Sequence, residues 1–375
     1  MNQSQTILVI NKKICCTNIA KMAEKCKKNN VSLRPHVMTH RSTQIASWFR
    51  TYGIDKIAVS SFNVAEYFME HGWDDITVTV PFNIHHLDQL NQLNEKIKLQ
   101  VVAEHLSTLE KVEAQITKPI SIYLKIDTDG EILGVAASNT AKIEKIIQFL
   151  HAKKDKFIFK GFLAHPYHTF LCKTRHGVNS IHYDTILQLR KLRNMFQSYF
   201  PKMELVLGDT LSALICNDFR NISEIQPSTF VFNDALTWKM GACKLEDIAL
   251  RIRTTVIAKN KARNEIVIQS NEQHLTRNSY INVDGKPLYG RIIKKVENKD
   301  ILLGELNYIH KMSLTHATIK VTPSEFFKIK RGDTIEVIPV KAPATFNSCQ
   351  WGLTEEQEVI HTMPQKKEWE AYKQK

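Results

Sequence analysis

The chain of 375 residues carries 51 Lys and Arg against 38 Asp and Glu, a formal charge of +13. Its 43% apolar and 24% charged residues are the proportions of a globular protein with a sizeable core, and no apolar run is long enough to cross a membrane. The start "MNQSQTILVINKK" is too short in apolar residues for a secretory signal, and seven scattered cysteines with no CxxC spacing argue against a disulfide framework. Together these features predict a cytoplasmic protein. The basic residues fall in short groups such as "HAKKDK", "RKLR" and "KNKAR", broken by acids or apolar positions and without interleaved aromatics. That pattern suits solvated helix faces, or a cleft attracting small anions, better than a nucleic-acid surface.

Short β-rich runs recur along the first two-thirds of the chain: 31–37, 56–61, 76–81, 99–104, 120–127, 157–165, 203–209 and "STFVFND" at 228–234. Between them lie segments of helical spacing. In "YDTILQLRKLRNMFQSYF", Ile186, Leu189, Leu192, Phe196 and Phe200 recur at three and four residues and make one apolar stripe. Alternation of this kind demands parallel strands with crossover helices, and eight units close a barrel. The expectation is a (β/α)8 TIM-like barrel over residues 12–240.

After Asp234 the rhythm changes. "ALRIRTTVIAKN", "NEIVIQS", "HATIKVT" and "DTIEVIPV" are strands without long helices between them, which predicts an antiparallel β domain over 241–375. The run "TILVIN" within residues 1–11 can join either unit. The tail "QKKEWEAYKQK" reads as a terminal helix or a frayed end.

In such barrels the working face lies where strands end. Those ends carry Met38 and His40, Ser60 and Ser61, Asn83, Glu104 and His105, Asp127, His165 and His168, Gly208 to Thr210, and Asp234. Each of these polar side chains has an alternative role as a hydrogen-bonded structural residue.

"LRPHVMTHRS" at 33–42 resembles the first barrel strand of the D-threonine aldolase and D-serine dehydratase family, which has a reactive lysine in an "RPHVKTHK"-like segment. "FLAHPYHTF" (162–170) is similar to the family's "YAHAGHSY" loop, and "VLGDTLSA" (206–213) to its "VGATPTA" phosphate-binding turn. "STFVFND" parallels "GNYVFYD", and "THA" (315–317) parallels an "EHG" turn. The chain is therefore identified as a divergent member of the alanine racemase-like, fold-type III pyridoxal-phosphate enzymes. The resemblance implies a homodimer and an amino-acid-like or phosphate-bearing small-molecule ligand. Where a phosphate binds, the resemblance implies Gly208, Thr210, Ser212 and Asp234 as the cofactor-binding residues; the alternative for the turn is a tight strand-to-helix connection with Thr210 or Ser212 capping the helix.

The departures from the family pattern are chemical. Met38 stands at the position of the reactive lysine, and a thioether cannot condense with an aldehyde. Met38 can pack against a flat ring or simply fill a gap. Ile132 stands where the resemblance places an arginine. Lys341 and Pro343 replace a histidine and a cysteine that hold a metal in relatives, so no metal is expected. Asp209 puts a negative charge beside the phosphate turn. Two readings follow. In one, the chain is a pseudoenzyme or reassigned member in which pyridoxal phosphate is noncovalent or absent. In the other, it is an active D-amino-acid aldolase, dehydratase or racemase in which Lys125 or Lys341 supplies the amine. His40, His165 and His168 are the candidates for proton transfer near neutral pH.

Overall fold

The computed structural model describes residues 6–128, 133–296 and 299–364. Ile132 and the tail from residue 365 lie outside the described residues. By its contacts the chain forms two compact units: one holds residues 19–38 and 46–230, the other 39–45, the residues up to 18 and those from 231 onward.

The first unit is built on a parallel sheet. Its strands run in the order Ser32–Leu33, Glu224–Ile225, Glu204–Leu207, Phe157–Ala164, Ile120–Asp127, Lys98–Ala103, Asp75–Val78 and Ile57–Val59. Every neighbouring pair is parallel. A parallel bridge between His36 and Ala58 joins the two ends of this order and closes the ring. Parallel strands connected through helices are covered on both faces, which is why their sequences are nearly continuous apolar runs. Val102, Tyr123, Leu163 and Val206, one from each of four adjacent strands, form one buried cluster. Helix Arg175–Phe196 buries Ile186, Leu189, Leu192 and Phe196 of the expected stripe, and Val178 besides, while Phe200 lies half-buried beyond the helix end. Gly161, at φ +145°, lets the strand Phe157–Ala164 approach its neighbour: a Cβ there would lie 1.9 Å from the Glu204 carbonyl oxygen.

The eighth strand is not where its sequence run suggested. Residues 229–231 form a 3-10 turn, and the strand is Glu224–Ile225. Pro227, which has no amide hydrogen, stands just beyond the short ladder, and its carbonyl accepts from the His36 amide at 2.9 Å. The amides of Ser228 and Thr229 donate to Thr210 Oγ1, at 2.9 and 3.3 Å, instead of to a strand. The β-branched and aromatic residues of "STFVFND" therefore mark buried packing rather than a ladder.

Side chains reinforce the ring where its strands are shortest. Arg34 Nε donates to Glu224 Oε1 at 2.8 Å, and its Nη1 donates to Asp75 Oδ1 at 2.7 Å and to the Ile57 carbonyl at 3.3 Å. Lys56 Nζ donates to Glu224 Oε2 at 2.6 Å, and Gln226 Nε2 donates to Oε1 at 3.0 Å.

The second unit is a ten-stranded sheet. The strand Ile7–Ile10 pairs antiparallel with Leu250–Asn260, which assigns the N-terminal run to this unit. It also pairs parallel with Trp351–Thr354, while the sheet's other pairings are antiparallel. The strands Gly290–Val296, Lys299–Leu302, Tyr308–Met312, Trp351–Thr354 and Val359–His361 were not read from the sequence.

Glu224→Gln leaves Arg34 and Lys56 without their shared carboxylate, and loss of one partner of a buried pair costs about 3–5 kcal/mol. Burial pushes the Glu224 carboxyl up, but Arg34 and Lys56 outweigh it and hold the group below its ordinary value. Its contribution is therefore complete above the unfolded carboxylate range and is lost as pH falls through the lower folded value. Urea titrations across pH 3–7 should show Glu224→Gln destabilised at neutral pH and less sensitive to acid; equal stability at pH 7 refutes the network's role.

Candidate functional site

Within the barrel unit, Met38 lies on the 3-10 turn Val37–Thr39 and is 44% exposed. Its backbone amide donates to His36 Nδ1 at 3.2 Å. That bond leaves Nδ1 as an acceptor and puts the ring proton on Nε2, which lies 2.9 Å from Thr79 Oγ1. Thr79 Oγ1 in turn donates to the Val59 carbonyl at 3.1 Å. The chain of donors is consistent for a neutral imidazole only. Burial, helped by His165 and Lys125, pulls the His36 pKa down to about 3. His36 was not among the candidates, although it stands two residues before Met38; its contact with Thr79 was the missing signal.

Lys125 and Asp127 lie on the strand Ile120–Asp127 and share the side of Tyr123, whose ring belongs to the buried cluster. Lys125 and His165 both act electrostatically on His36. His165 packs against Gly208, where a Cβ would lie 2.9 Å from its Nδ1. Gly208 is therefore required for the close approach of an imidazole. His168 sits half-buried on the 3-10 turn Tyr167–Leu171, and its carbonyl accepts from Cys172 Sγ at 3.8 Å.

The turn that resembles a phosphate site already contains an anion. Asp209 is 2% exposed and caps the helix Thr210–Ile215. Its Oδ1 accepts from the Leu211 amide at 3.3 Å, and its Oδ2 from the Ser212 amide at 2.7 Å. Thr169 Oγ1 adds a bond to Oδ1 at 2.9 Å. The Gly208 amide donates to the Ala164 carbonyl at 2.9 Å, and Thr210 Oγ1 receives the Ser228 and Thr229 amides. Of the expected phosphate donors, Ser212 Oγ is buried with no hydrogen-bond partner among the described residues. A second anion brought to this turn would face the Asp209 carboxylate across a shared set of amides.

Other strand-end polar residues prove to be caps. Ser61 Oγ accepts from the Val64 amide at 3.4 Å, and Asn83 Oδ1 from the His85 amide at 3.0 Å. A cleft of about 190 Å³ opens beside them, lined among others by Ser60, Asn63, Val80, Phe82 and His86.

In the second unit, His40 Nδ1 accepts from the Ser42 amide at 3.0 Å, and its ring meets Phe232 edge-on at 6.4 Å. Asp234 caps two helices at once: Oδ1 accepts from the Thr237 amide at 2.9 Å and Oδ2 from the Ala342 amide at 3.0 Å. Burial raises its pKa to about 6 against the opposing pull of those bonds. Lys341 is the N-cap residue of the helix Ala342–Cys349, and Pro343 lies in that helix's first turn. Among the described residues no group of three or more His, Cys, Asp or Glu is placed to hold a metal.

The depressed pKa of His36 carries a definite pH signature. An unfolded histidine titrates near 6.5, so between about 6.5 and 3 the unfolded chain binds a proton that the folded one refuses. The contribution of His36 is complete above pH 6.5 and declines toward pH 3, by up to about 1.4 kcal/mol per pH unit. His36→Asn keeps an acceptor for the Met38 amide and should flatten that part of the profile. Nitrogen NMR should show unprotonated Nδ1 and protonated Nε2 throughout pH 5–8; a ring titrating in that range would refute the assignment.

Comparison with known proteins agrees with the geometry. The chain is 25% identical over 265 residues to the D-threo-3-hydroxyaspartate dehydratase of Delftia sp. (strain HT23), covering 69% of each chain. It is 23% identical to the D-serine dehydratase of Dictyostelium discoideum, covering 94% of each. Among solved structures, the Delftia sp. HT23 enzyme superposes with a TM-score of 0.85 at 21% identity, over 96% of this chain and 97% of that one. The D-threonine aldolase of Filomicrobium marinum gives 0.76 at 16% identity, over 95% and 94%. The model of the alanine racemase N-terminal domain matches residues 10–206, more than half of the 375 residues, and the chain belongs to that family.

Proposed function

We propose that this chain is a divergent member of its family that binds a small anionic or amino-acid-like ligand at the barrel's strand ends without a covalent link through residue 38. The observation that carries the reading is Met38. Its side chain offers no amine where the resemblance places one, and the turn that carries it is held through its backbone by His36.

Pyridoxal phosphate is the cofactor that the family implies, and the residues of this barrel do not fit it as relatives would hold it. The nucleophile is missing, and the helix-start amides that would meet a phosphate are bonded to Asp209. Cofactor chemistry at this site is accordingly left out of the reading. Lys125, whose charge together with that of His165 acts on His36, offers a cation to a ligand carboxylate.

A second reading rests on Lys125. Together with His165 it acts electrostatically on His36. In that case activity on a D-amino acid persists with a relocated amine.

One experiment separates the two. The full chain is incubated with pyridoxal phosphate, reduced with borohydride and digested. The first reading expects no site-specific labelled peptide and no stable colour after dialysis; stoichiometric labelling of Lys125 or Lys341 overturns it. Met38→Lys should restore only weak labelling, because the Asp209 carboxylate remains. Met38→Lys combined with Asp209→Asn, which keeps the cap but removes the charge, should bind the cofactor at least about tenfold more tightly than Met38→Lys alone. Equal affinities would show that Asp209 is not what excludes the phosphate.

A further inference from the structure

The second unit contains a hollow of about 520 Å³ unrelated to any residue discussed for the barrel. Lys286, Lys311, Lys320 and His310 line it, with Tyr308 and Leu306 supplying apolar surface. The lysines come from three separate segments. Lys286 precedes the strand Pro287–Leu288, Lys311 lies in Tyr308–Met312, and Lys320 ends Ala317–Lys320 directly opposite Tyr308.

Consecutive residues of a strand normally face opposite sides. His310 and Lys311 both line the hollow because the pairing of Tyr308–Met312 with Ala317–Lys320 shifts register between Ile309 and Lys311. A bulge of this kind re-aims a side chain, here adding a second cation to one face.

The charges are not balanced locally. Lys286 and Lys311 form no ion pair among the described residues, and Lys320 Nζ donates to a backbone carbonyl, that of Arg263, at 2.5 Å. Two carboxylates stand nearby. Glu265 bonds Arg263 Nε at 2.7 Å and lies 3.4 Å from His310 Nε2, and Asp284 is an exposed lining residue. Burial is the main cause that lowers the His310 pKa; Glu265 opposes it, and Lys311, Lys320 and Lys286 add smaller contributions in the same direction as burial.

We propose that this hollow is a binding site for a phosphate-bearing small molecule, its phosphate held among Lys286, Lys311 and Lys320 and its body against Tyr308 and Leu306. Ammonium groups act as point charges that suit a multiply charged tetrahedral anion approached from several directions. The volume lies within the range of small-molecule sites and exceeds what a bare ion needs. The inference stands apart from the reading of the barrel, since it uses none of the same residues.

The test is calorimetric titration of the full chain with AMP and with inorganic phosphate. Saturable binding of AMP, weakened at least about tenfold in Lys286→Ala/Lys311→Ala, is the expected result. The control variant Lys145→Ala/Lys191→Ala removes two exposed lysines from the barrel unit, with the same change in net charge, and should bind as the parent does. Absence of saturable binding of either probe overturns the proposal, and so does equal weakening in the control, which would assign the effect to net charge alone. Both lysines of the test variant are exposed, so unfolding is not expected, and circular dichroism checks it.

Discussion

The barrel depends on how its ring is closed. Five adjacent strands of the sheet offer four to eight residues each, but Ser32–Leu33 and Glu224–Ile225 offer two, and the last join is a single bridge between His36 and Ala58. Backbone hydrogen bonds are sparse at that join. The Arg34 guanidinium supplies fixed geometry instead, with bonds to Glu224, Asp75 and the Ile57 carbonyl that span from the Glu224–Ile225 strand to the strands beyond the closure. A planar fork of donors can do this where a lysine could not, because each bond has its own direction. The cost of removing these charges from water is offset only while every partner is present.

That closure also sets where residue 38 stands. His36 provides both the bridging backbone and the ring that holds the Met38 amide. The turn is thus tied to the ring by groups that do not depend on the side chain at 38. A change of side chain at 38 therefore leaves the closure intact. Asp209 acts in a similar way at the other departure. A helix start with unsatisfied amides invites an anion, and an internal carboxylate satisfies the same amides permanently.

Much of the fold was legible because it is encoded in periodicity. Seven of the strand runs and the stripe of Arg175–Phe196 are patterns of burial, and burial is what spacing reports. The strand Glu224–Ile225 was hidden for a physical reason: a buried, ion-paired glutamate occupies a core position, and its partner Arg34 lies 190 residues away. "STFVFND" misled in the opposite sense, since its apolar residues are buried without joining a ladder. In the second unit the strand Gly290–Val296 contains Arg291 and two consecutive lysines, so composition disguised it. The candidate site was legible as a set of strand ends, but roles were not. Ser61, Asn83, Asp209 and Asp234 cap helices, and capping and ligand binding select the same residue types for the same reason, a short polar side chain that reaches backbone amides.

The remaining question is what keeps histidines and a lysine inside a barrel if no amine stands at 38. Packing alone does not require them, since an apolar replacement of similar volume is usually no less stable than a buried polar group. His36 has a structural reason in its two bonds, to the Met38 amide and to Thr79. Lys125 raises the cost of protonating His36. A cation placed where it makes a neighbouring imidazole less basic stabilises an anion at the same spot.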